Sequence, residues 1–134
     1  MTIIERLRQY KELDPHKIAL IVDDKKYTYG DLYDAILSID INDTSRIVNV
    51  AQTKESPKHI VALIQSQSFV EQLVQWLWGL YTGYIPMVCH NEMDTEYVEE
   101  LARIIAYKGV APLADFGVLT SGTTGRPKPL WRSE

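Results

Sequence analysis

Near its carboxyl end the sequence reads Thr120-Ser121-Gly122-Thr123-Thr124-Gly125-Arg126-Pro127-Lys128, a polar segment between two short apolar runs. The apolar runs, Phe116 to Leu119 and Leu130 to Trp131, predict a strand on each side of a polar loop. Glycines let a ligand approach backbone N–H groups, and such groups form a concave anion site together with hydroxyls and cations. The pattern predicts a polyphosphate-binding loop; composition alone is equally consistent with an ordinary solvated hairpin loop.

Length and composition indicate one domain with an ordinary core: 134 residues, 46% of them hydrophobic. The net charge of −4 and the lack of a basic, aromatic-laced run give no attraction for nucleic acid. The single Cys89 excludes an internal disulfide and is typical of a reducing compartment, with the thiol buried. Glu5 and Arg6 interrupt any signal peptide, and the run from Phe69 to Val88 is too polar to span a membrane. We therefore expect a soluble, cytoplasmic protein with no membrane partner.

Strands alternate with helices along the chain, which predicts an α/β fold with parallel strands and right-handed crossovers. Thr2, Thr28, Ser68 and Asp94 are the predicted N-caps of the helices. The predicted elements are a helix over 3–12, a hairpin of strands over 18–22 and 26–28, a helix after residue 28, a short strand near 47–50, a strand over 59–64, a helix ending at Gly83, a strand over 83–88 and a helix ending at Lys108-Gly109.

The helix that follows Ser68 is expected to carry much of the core. Apolar residues at helical spacing predict that Leu73 and Leu77 are nearly fully buried against the strand over 59–64. Tryptophan at this spacing indicates core packing more than a ligand platform. The residues expected to face inwards are Phe69, Leu73, Trp76, Leu77 and Leu80 on this helix, and Leu101, Ile104 and Ile105 on the last one.

The order of residues in the polar segment is more informative than its composition. Only two residues separate Gly122 from Gly125, so the P-loop rule G-x-x-x-x-G-K-[ST] is not met. The segment from Thr120 to Lys128 instead closely resembles the phosphate-loop signature of adenylate-forming enzymes, a superfamily that includes acyl-CoA synthetases. Pro129 is a departure, because the family usually has glycine there. The opening segment resembles the same family, from Ile18-Ala19-Leu20 through a hairpin to Tyr27-Thr28-Tyr29-Gly30-Asp31-Leu32.

This resemblance implies that residues 1–134 are the N-terminal fragment of an AMP-binding domain, the first part of the family's large domain. It implies ATP-dependent activation of a small carboxylic acid as an acyl-adenylate, with Mg²⁺ sharing the charge of the phosphates and a thiol such as coenzyme A accepting the acyl group. Lys128 is the implied catalytic residue. The residues implied to bind the ATP phosphates are Thr120, Ser121, Gly122, Thr123, Thr124, Gly125 and Lys128.

Members of the family continue with a Thr-Glu segment, a ribose-binding aspartate, and a mobile C-terminal domain with a lysine, none of which is found in residues 1–134. We therefore expect this chain alone not to catalyse adenylation, and to self-associate through exposed strand edges. Two alternatives remain open: a stand-alone module that binds nucleotide or polyphosphate, and a structural half that completes a sheet with a separate polypeptide.

The histidines offer no metal site, because His16, His59 and His90 lack metal-ligand spacing. His90 follows the end of a predicted strand, where ligand sites of α/β folds tend to occur, and is a minor candidate for a site residue.

Overall fold

The alternation of strands and helices predicted from the sequence is confirmed. The structure is a computed structural model that describes residues 1–40, 46–90, 92–120 and 128–134. The elements of these residues are α1 (Ile3–Leu13), β1 (Ile18–Val22), β2 (Lys25–Thr28), α2 (Tyr29–Leu37), β3 (Arg46–Asn49), β4 (Ile60–Ile64), α3 (Phe69–Thr82), β5 (Ile85–Val88), α4 (Thr95–Lys108), β6 (Phe116–Thr120) and β7 (Lys128–Arg132).

The four predicted N-caps all begin helices. Each of Thr2, Thr28, Ser68 and Asp94 accepts a hydrogen bond from the backbone N–H three residues later, which satisfies a donor that the first turn leaves without an intrahelical partner. Thr2 and Thr28 form complete capping boxes, since the third helical residue returns a hydrogen bond to the cap backbone. Local sequence therefore fixes where these helices start.

The main sheet, as far as the described residues show it, has five strands in the order β3-β4-β5-β6-β7. The three central strands β4, β5 and β6 are parallel, and β3 and β7 flank them in antiparallel pairing. Because parallel strands point the same way, their carboxyl ends lie together at one end of the sheet. We call this end of the sheet the carboxyl edge. The start of β7 lies at this edge too, because β7 runs back from it.

Helices cover both faces of the sheet. Val61 and Leu63 of β4 pack in one cluster with α4, whereas Ala62 between them packs in a second cluster with α1, α2 and α3. Alternate residues of a strand point to opposite faces. We call these the α4 face and the α3 face of the sheet.

The two crossovers between parallel strands therefore lie on opposite faces. The connection from β4 to β5 runs through α3, and the connection from β5 to β6 runs through α4. Both connections step in the same direction across the sheet, so helices on opposite faces give the two crossovers opposite hands. The prediction of right-handed crossovers is wrong for one of them, although almost all crossovers have that hand.

The buried side of α3 is rotated by one residue from the predicted one. Val74, Leu77 and Trp78 are buried, whereas Phe69 is 57% exposed and Leu73 is only half-buried. Near-complete burial is confirmed for Leu77 and wrong for Leu73, which packs against the core but is only partly buried, as Trp76 and Leu80 are. Phe69 does not face the core as predicted. Phe69 is the first helical residue, and Val74 and Trp78 continue the buried stripe at helical spacing.

The last helix shows the same displacement. Leu101 and Ile105 of α4 are buried as predicted, but Ile104 is 39% exposed and Ala102 is buried. Leu101, Ala102 and Ile105 lie on one side of the helix and form a narrow buried stripe. Hydrophobicity alone ranks isoleucine above alanine, which is why the pattern favoured the wrong position.

A close approach between α3 and β5 seats the helix on the sheet. A side chain at Gly79 would place its Cβ 2.7 Å from Pro86 Cβ, closer than real carbon atoms come. Gly83 then ends α3 in the left-handed conformation, with φ of 83°, which glycine adopts without strain. The predicted helix end at Gly83 is confirmed.

Candidate functional site

The two ends of the phosphate-loop signature meet at one point of the sheet. Thr120 is the last residue of β6 and Lys128 the first of β7, and the two are paired in the antiparallel register. Thr120 Oγ1 donates a hydrogen bond to the Lys128 carbonyl oxygen at 3.2 Å. The two strands predicted on either side of the polar segment are confirmed, and the side chains of Thr120 and Lys128 are exposed.

The middle of the signature lies outside the described residues. This part holds the predicted phosphate-binding residues Ser121, Gly122, Thr123, Thr124 and Gly125, followed by Arg126 and Pro127. The roles of these five residues, and those of Thr120 and Lys128, stay predictions from the resemblance.

The carboxyl ends of β4 and β5 have the topology that is typical of ligand sites in α/β folds. The connection that leaves β4 enters α3 on one face, and the connection that leaves β5 enters α4 on the other. Two adjacent parallel strands whose connections part in this way leave an opening outside their carboxyl ends, and ligands bind there. The signature ends Thr120 and Lys128 lie at the same edge.

Gln65 connects the segments that follow β4 and β5. Its Nε2 donates to the His90 carbonyl oxygen at 3.0 Å and to the Met93 carbonyl oxygen at 2.6 Å. The ring of His90 is also held, since Nδ1 accepts a hydrogen bond from the Glu92 N–H at 3.1 Å. Sequence reasoning ranked His90 low and missed Gln65; the available signal was a polar residue directly after an apolar parallel strand.

An exposed apolar row borders this edge on the α3 face. Val118 and Leu130 are paired across β6 and β7, and both share a face with Phe116, whose ring contacts Trp76 of α3. Val88 of β5 lies on the same face, because its neighbour Met87 packs on the α4 face. Val88, Val118 and Leu130 are 37%, 39% and 38% exposed, so α3 leaves this end of the sheet partly uncovered.

The cysteine at this edge is not a nucleophile. Cys89 is fully buried in the cluster with α4, and burial raises the pKa of its thiol to about 11. The reactive form of cysteine is the thiolate, which such a pKa leaves scarce at neutral pH. The predicted structural role of Cys89 is confirmed.

The opposite edge of the sheet holds a second concavity. A pocket of about 250 Å³ lies at the amino ends of β4 and β5, and the residues that line it are Gln52, Pro57, Lys58, His59, Ile60, Thr82, Gly83 and Tyr84. The strands separate this pocket from the phosphate-loop signature.

An ion pair also lies near the amino end of β6, away from the signature. Lys58 Nζ and Asp115 Oδ1 are 2.6 Å apart, and Asp115 Oδ2 accepts from the Glu134 N–H. Partial burial raises the pKa of Asp115, but the hydrogen bonds from Lys58 and Glu134 and the charge of Lys58 together outweigh it and lower the pKa below the ordinary range.

The described residues contain no group of three His, Cys, Asp or Glu side chains placed to hold a metal ion. None of the helices within the described ranges has both the length and the apolar character that crossing a bilayer requires.

Comparison with known structures identifies the fold. No protein-family model matches the sequence, and no curated protein matches it. The Klebsiella oxytoca NpsA N-terminal subdomain, in complex with 3-hydroxyanthranilyl-AMSN, is 18% identical with a TM-score of 0.59; the match covers 96% of this chain and 39% of that one. A double mutant of o-succinylbenzoate CoA synthetase (MenE) from Bacillus subtilis, bound with its product analogue OSB-NCoA, is 17% identical with a TM-score of 0.59; the match covers 95% of this chain and 33% of that one.

The chain therefore has the α/β fold of the N-terminal part of adenylate-forming enzymes, as the resemblance predicted. It spans between a third and two-fifths of the length of these two proteins.

Proposed function

We propose that this chain is the N-terminal, phosphate-binding portion of an ATP-dependent ligase that activates a carboxylic acid as an acyl-adenylate. The observation that carries the proposal is the pairing of Thr120 with Lys128 at the carboxyl edge of the parallel strands. This pairing holds the two ends of a nine-residue phosphate-loop signature together, at the edge where α/β sheets bind ligands. The fold of the chain agrees with the same class.

In this reaction a carboxylate oxygen attacks the α-phosphorus of ATP. The new oxygen–phosphorus bond gives the acyl-adenylate, and the oxygen that bridged the α- and β-phosphates leaves with pyrophosphate. Catalysis of such a step consists mainly of positioning and of neutralising charge on the leaving group. Lys128, at the start of β7, would supply an ammonium group for that charge, and the backbone N–H groups of the signature would supply hydrogen bonds.

The remaining components follow from the same proposal. Mg²⁺, when bound with ATP, would share the neutralisation of the phosphates. A thiol such as coenzyme A would then take the acyl group from the adenylate, releasing AMP. Residues that select the acid are assigned to other parts of the complete enzyme.

Phosphate binding by the chain itself tests this proposal. We expect inorganic tripolyphosphate to bind, and Lys128→Ala to weaken binding by roughly 1.5–3 kcal/mol, the worth of a hydrogen bond to a charged group. Isothermal titration calorimetry measures both affinities. Arg132→Ala is the matched control, because Arg132 is a cation on the same strand and the same face, at the other end of β7.

Two results would contradict the proposal. If tripolyphosphate does not bind, or binds equally well to the Lys128→Ala variant, the signature is not a phosphate site. Acid-dependent ATP–pyrophosphate exchange by residues 1–134 alone would show that the chain is more than the phosphate-binding portion.

A structural half that completes a larger assembly is the second candidate. It is favoured by the exposed apolar row of Val88, Val118 and Leu130, which lies on a sheet face that helices otherwise cover. We expect size-exclusion chromatography to show concentration-dependent self-association that Leu130→Lys reduces and Ile21→Lys does not, Ile21 being an exposed residue of the separate β1–β2 hairpin. A monomer at every concentration would remove the support for this candidate.

A further inference from the structure

The pocket at the amino ends of β4 and β5, which we call the amino-end pocket, has no role in the proposed function. It has a volume of about 250 Å³, and its lining includes His59, directly before β4, and Gly83 and Tyr84, directly before β5. Pockets for drug-sized ligands have volumes of roughly 300–1,000 Å³. The amino-end pocket is slightly smaller and therefore suits a ligand of one or two rings.

Hydrogen bonds within the loop between β3 and β4 hold one wall of the pocket in place. The Val50 N–H donates to the His59 carbonyl oxygen at 2.8 Å and closes the loop. Inside the loop, the Thr53 N–H donates to the Ser56 carbonyl oxygen at 3.1 Å. A wall that is ordered before a ligand arrives lowers the entropic cost of binding.

His59 presents a hydrogen-bond donor. Gln52 Nε2 donates to the Pro57 carbonyl oxygen at 2.7 Å and lies 2.9 Å from His59 Nδ1. An amide nitrogen can only donate, so Nδ1 accepts, and the proton of the neutral imidazole ring is on Nε2. His59 is exposed, so its Nε2–H is accessible to a ligand.

Apolar and ring surfaces make up much of the remaining lining. The ring of Tyr84 lies edge-to-face against Trp78, with the centroids 5.3 Å apart and the planes at 86°. Pro57 and Ile60 add a saturated ring and an aliphatic side chain. Gly83 leaves open space, because a Cβ at this position would meet no atom of the described residues within 4 Å. Such surfaces favour a planar, apolar ring.

The permanent charge in the lining is already neutralised. Of the described lining residues only Lys58 carries such a charge, and its Nζ lies 2.6 Å from Asp115 Oδ1. A charged ligand would lose hydration without gaining a free counter-ion, which is unfavourable. The pocket therefore favours an uncharged ligand.

We propose that the amino-end pocket is a second binding site of this chain, for a small, uncharged, planar aromatic molecule that carries a carbonyl group. The carbonyl oxygen accepts a hydrogen bond from His59 Nε2–H, and the aromatic ring packs beside Tyr84. The inference is independent of the proposed function, because no residue of the pocket belongs to the phosphate-loop signature.

Three probes of similar size separate the features that this ligand class requires. Benzamide is planar and uncharged and has a carbonyl acceptor. Benzoate keeps the shape but adds a negative charge, and cyclohexanecarboxamide keeps the acceptor but replaces the planar ring. We expect benzamide to bind with a dissociation constant on the order of 1 mM, as is usual for so small a ligand, and the other two to bind several-fold more weakly.

A two-dimensional ¹H–¹⁵N NMR titration of the unchanged chain with each probe measures these affinities. We expect benzamide to shift the amide signals of Ile60, Gly83 and Tyr84 together with the ring signals of His59, and to leave Thr120 unmoved. The inference would be overturned if no signal of the pocket shifts up to the solubility limit of benzamide, or if benzoate or cyclohexanecarboxamide binds as tightly as benzamide.

His59→Asn tests the donor, because asparagine is too short to place an N–H at the position of Nε2. We expect this variant to bind benzamide roughly 3- to 10-fold more weakly, the fold-change that corresponds to one lost hydrogen bond between neutral groups. His16→Asn is the matched control, since His16 is also an exposed histidine but does not line the pocket. Equal affinities of the two variants for benzamide would overturn the inference.

The outcomes distinguish this inference from the proposed function. If tripolyphosphate binds and benzamide does not, only the second site is overturned. If benzamide binds at the amino-end pocket and tripolyphosphate does not bind, only the proposed function is overturned. Benzamide-induced shifts confined to the carboxyl edge would overturn the inference whatever the affinity.

Discussion

The strands β4 and β5 and the hairpin of β6 and β7 belong to one sheet, yet they are buried to very different degrees. Val61, Ala62, Leu63 and Ile64 of β4 are at most 1% exposed, because helices cover both of their faces. In the hairpin, by contrast, Val118 and Leu130 are more than a third exposed, and the signature residues Thr120 and Lys128 lie at its open end.

This difference in burial indicates that the stability of the chain and its binding of phosphate depend on different parts of the sheet. The free energy of folding comes mainly from apolar surface removed from water, so it is concentrated around β4 and β5. A loop that binds phosphate needs exposed donors on a fixed frame, and the hairpin supplies that frame by strand pairing with β6 held against β5. Changes in the first region should therefore alter unfolding, and changes at the open end of the second should alter binding.

The largest expected effect is on the core. We expect Leu77→Ala to lower the free energy of unfolding by roughly 2–5 kcal/mol, because it removes a buried side chain and leaves a cavity. Leu130→Ala makes the same chemical change on the exposed face of the hairpin and should cost less than about 1 kcal/mol. Denaturant-induced unfolding measures both. Similar losses would show that the hairpin is as much a part of the core as α3.

A smaller effect is expected where the two regions meet. Gly117 of β6 lies against Met87, and a Cβ there would come within 2.7 Å of Trp131 Cζ3. Gly117→Ala should therefore destabilise the chain by roughly 1–3 kcal/mol through overpacking. Val118→Ala, next to it on the exposed face, should change stability by about 0.5 kcal/mol or less. Unchanged thermal stability of the Gly117→Ala variant would mean that the hairpin is not fitted against β5.

The smallest expected effect concerns pH. Asp115 has a lowered pKa in the folded chain, so its stabilisation is present above its unfolded pKa of about 3.9 and is lost as pH falls through the folded value. We expect the unchanged chain to exceed Asp115→Asn in stability by about 1 kcal/mol at neutral pH, and the difference to shrink below about pH 4. The free energies of unfolding of both proteins, measured at several pH values, test whether their difference shrinks on acidification. A difference that grows on acidification would contradict the role of the Lys58–Asp115 pair.

The elements of this fold were predictable from local patterns, because capping residues, glycines and apolar runs act within a few residues of themselves. Thr28 and Asp31 form a capping box whatever surrounds them, and Gly83 ends α3 for a conformational reason of its own. The side of the sheet on which each helix packs was not predictable in this way. It depends on close approaches such as Gly79 to Pro86, which join residues of different elements.

The residues of the candidate site also differ in whether local sequence predicts them. The signature and its flanking strands were recognisable because their residues are contiguous. Gln65 was not, because its meaning depends on the carbonyl oxygens of His90 and Met93, which lie 25 and 28 residues further along the chain. The burial of Ala102 on α4 was missed because hydrophobicity alone favours Ile104 as the buried residue.

The central claim is that the carboxyl edge of the parallel strands is where this chain binds phosphate. A two-dimensional ¹H–¹⁵N NMR titration with inorganic tripolyphosphate tests it most directly, because each backbone amide reports its own position. The account predicts shifts at the carboxyl edge, including Gln65, His90, Thr120 and Lys128, and none around His59 and Tyr84 at the opposite pocket. Shifts confined to that pocket, or spread over the whole surface, would contradict it.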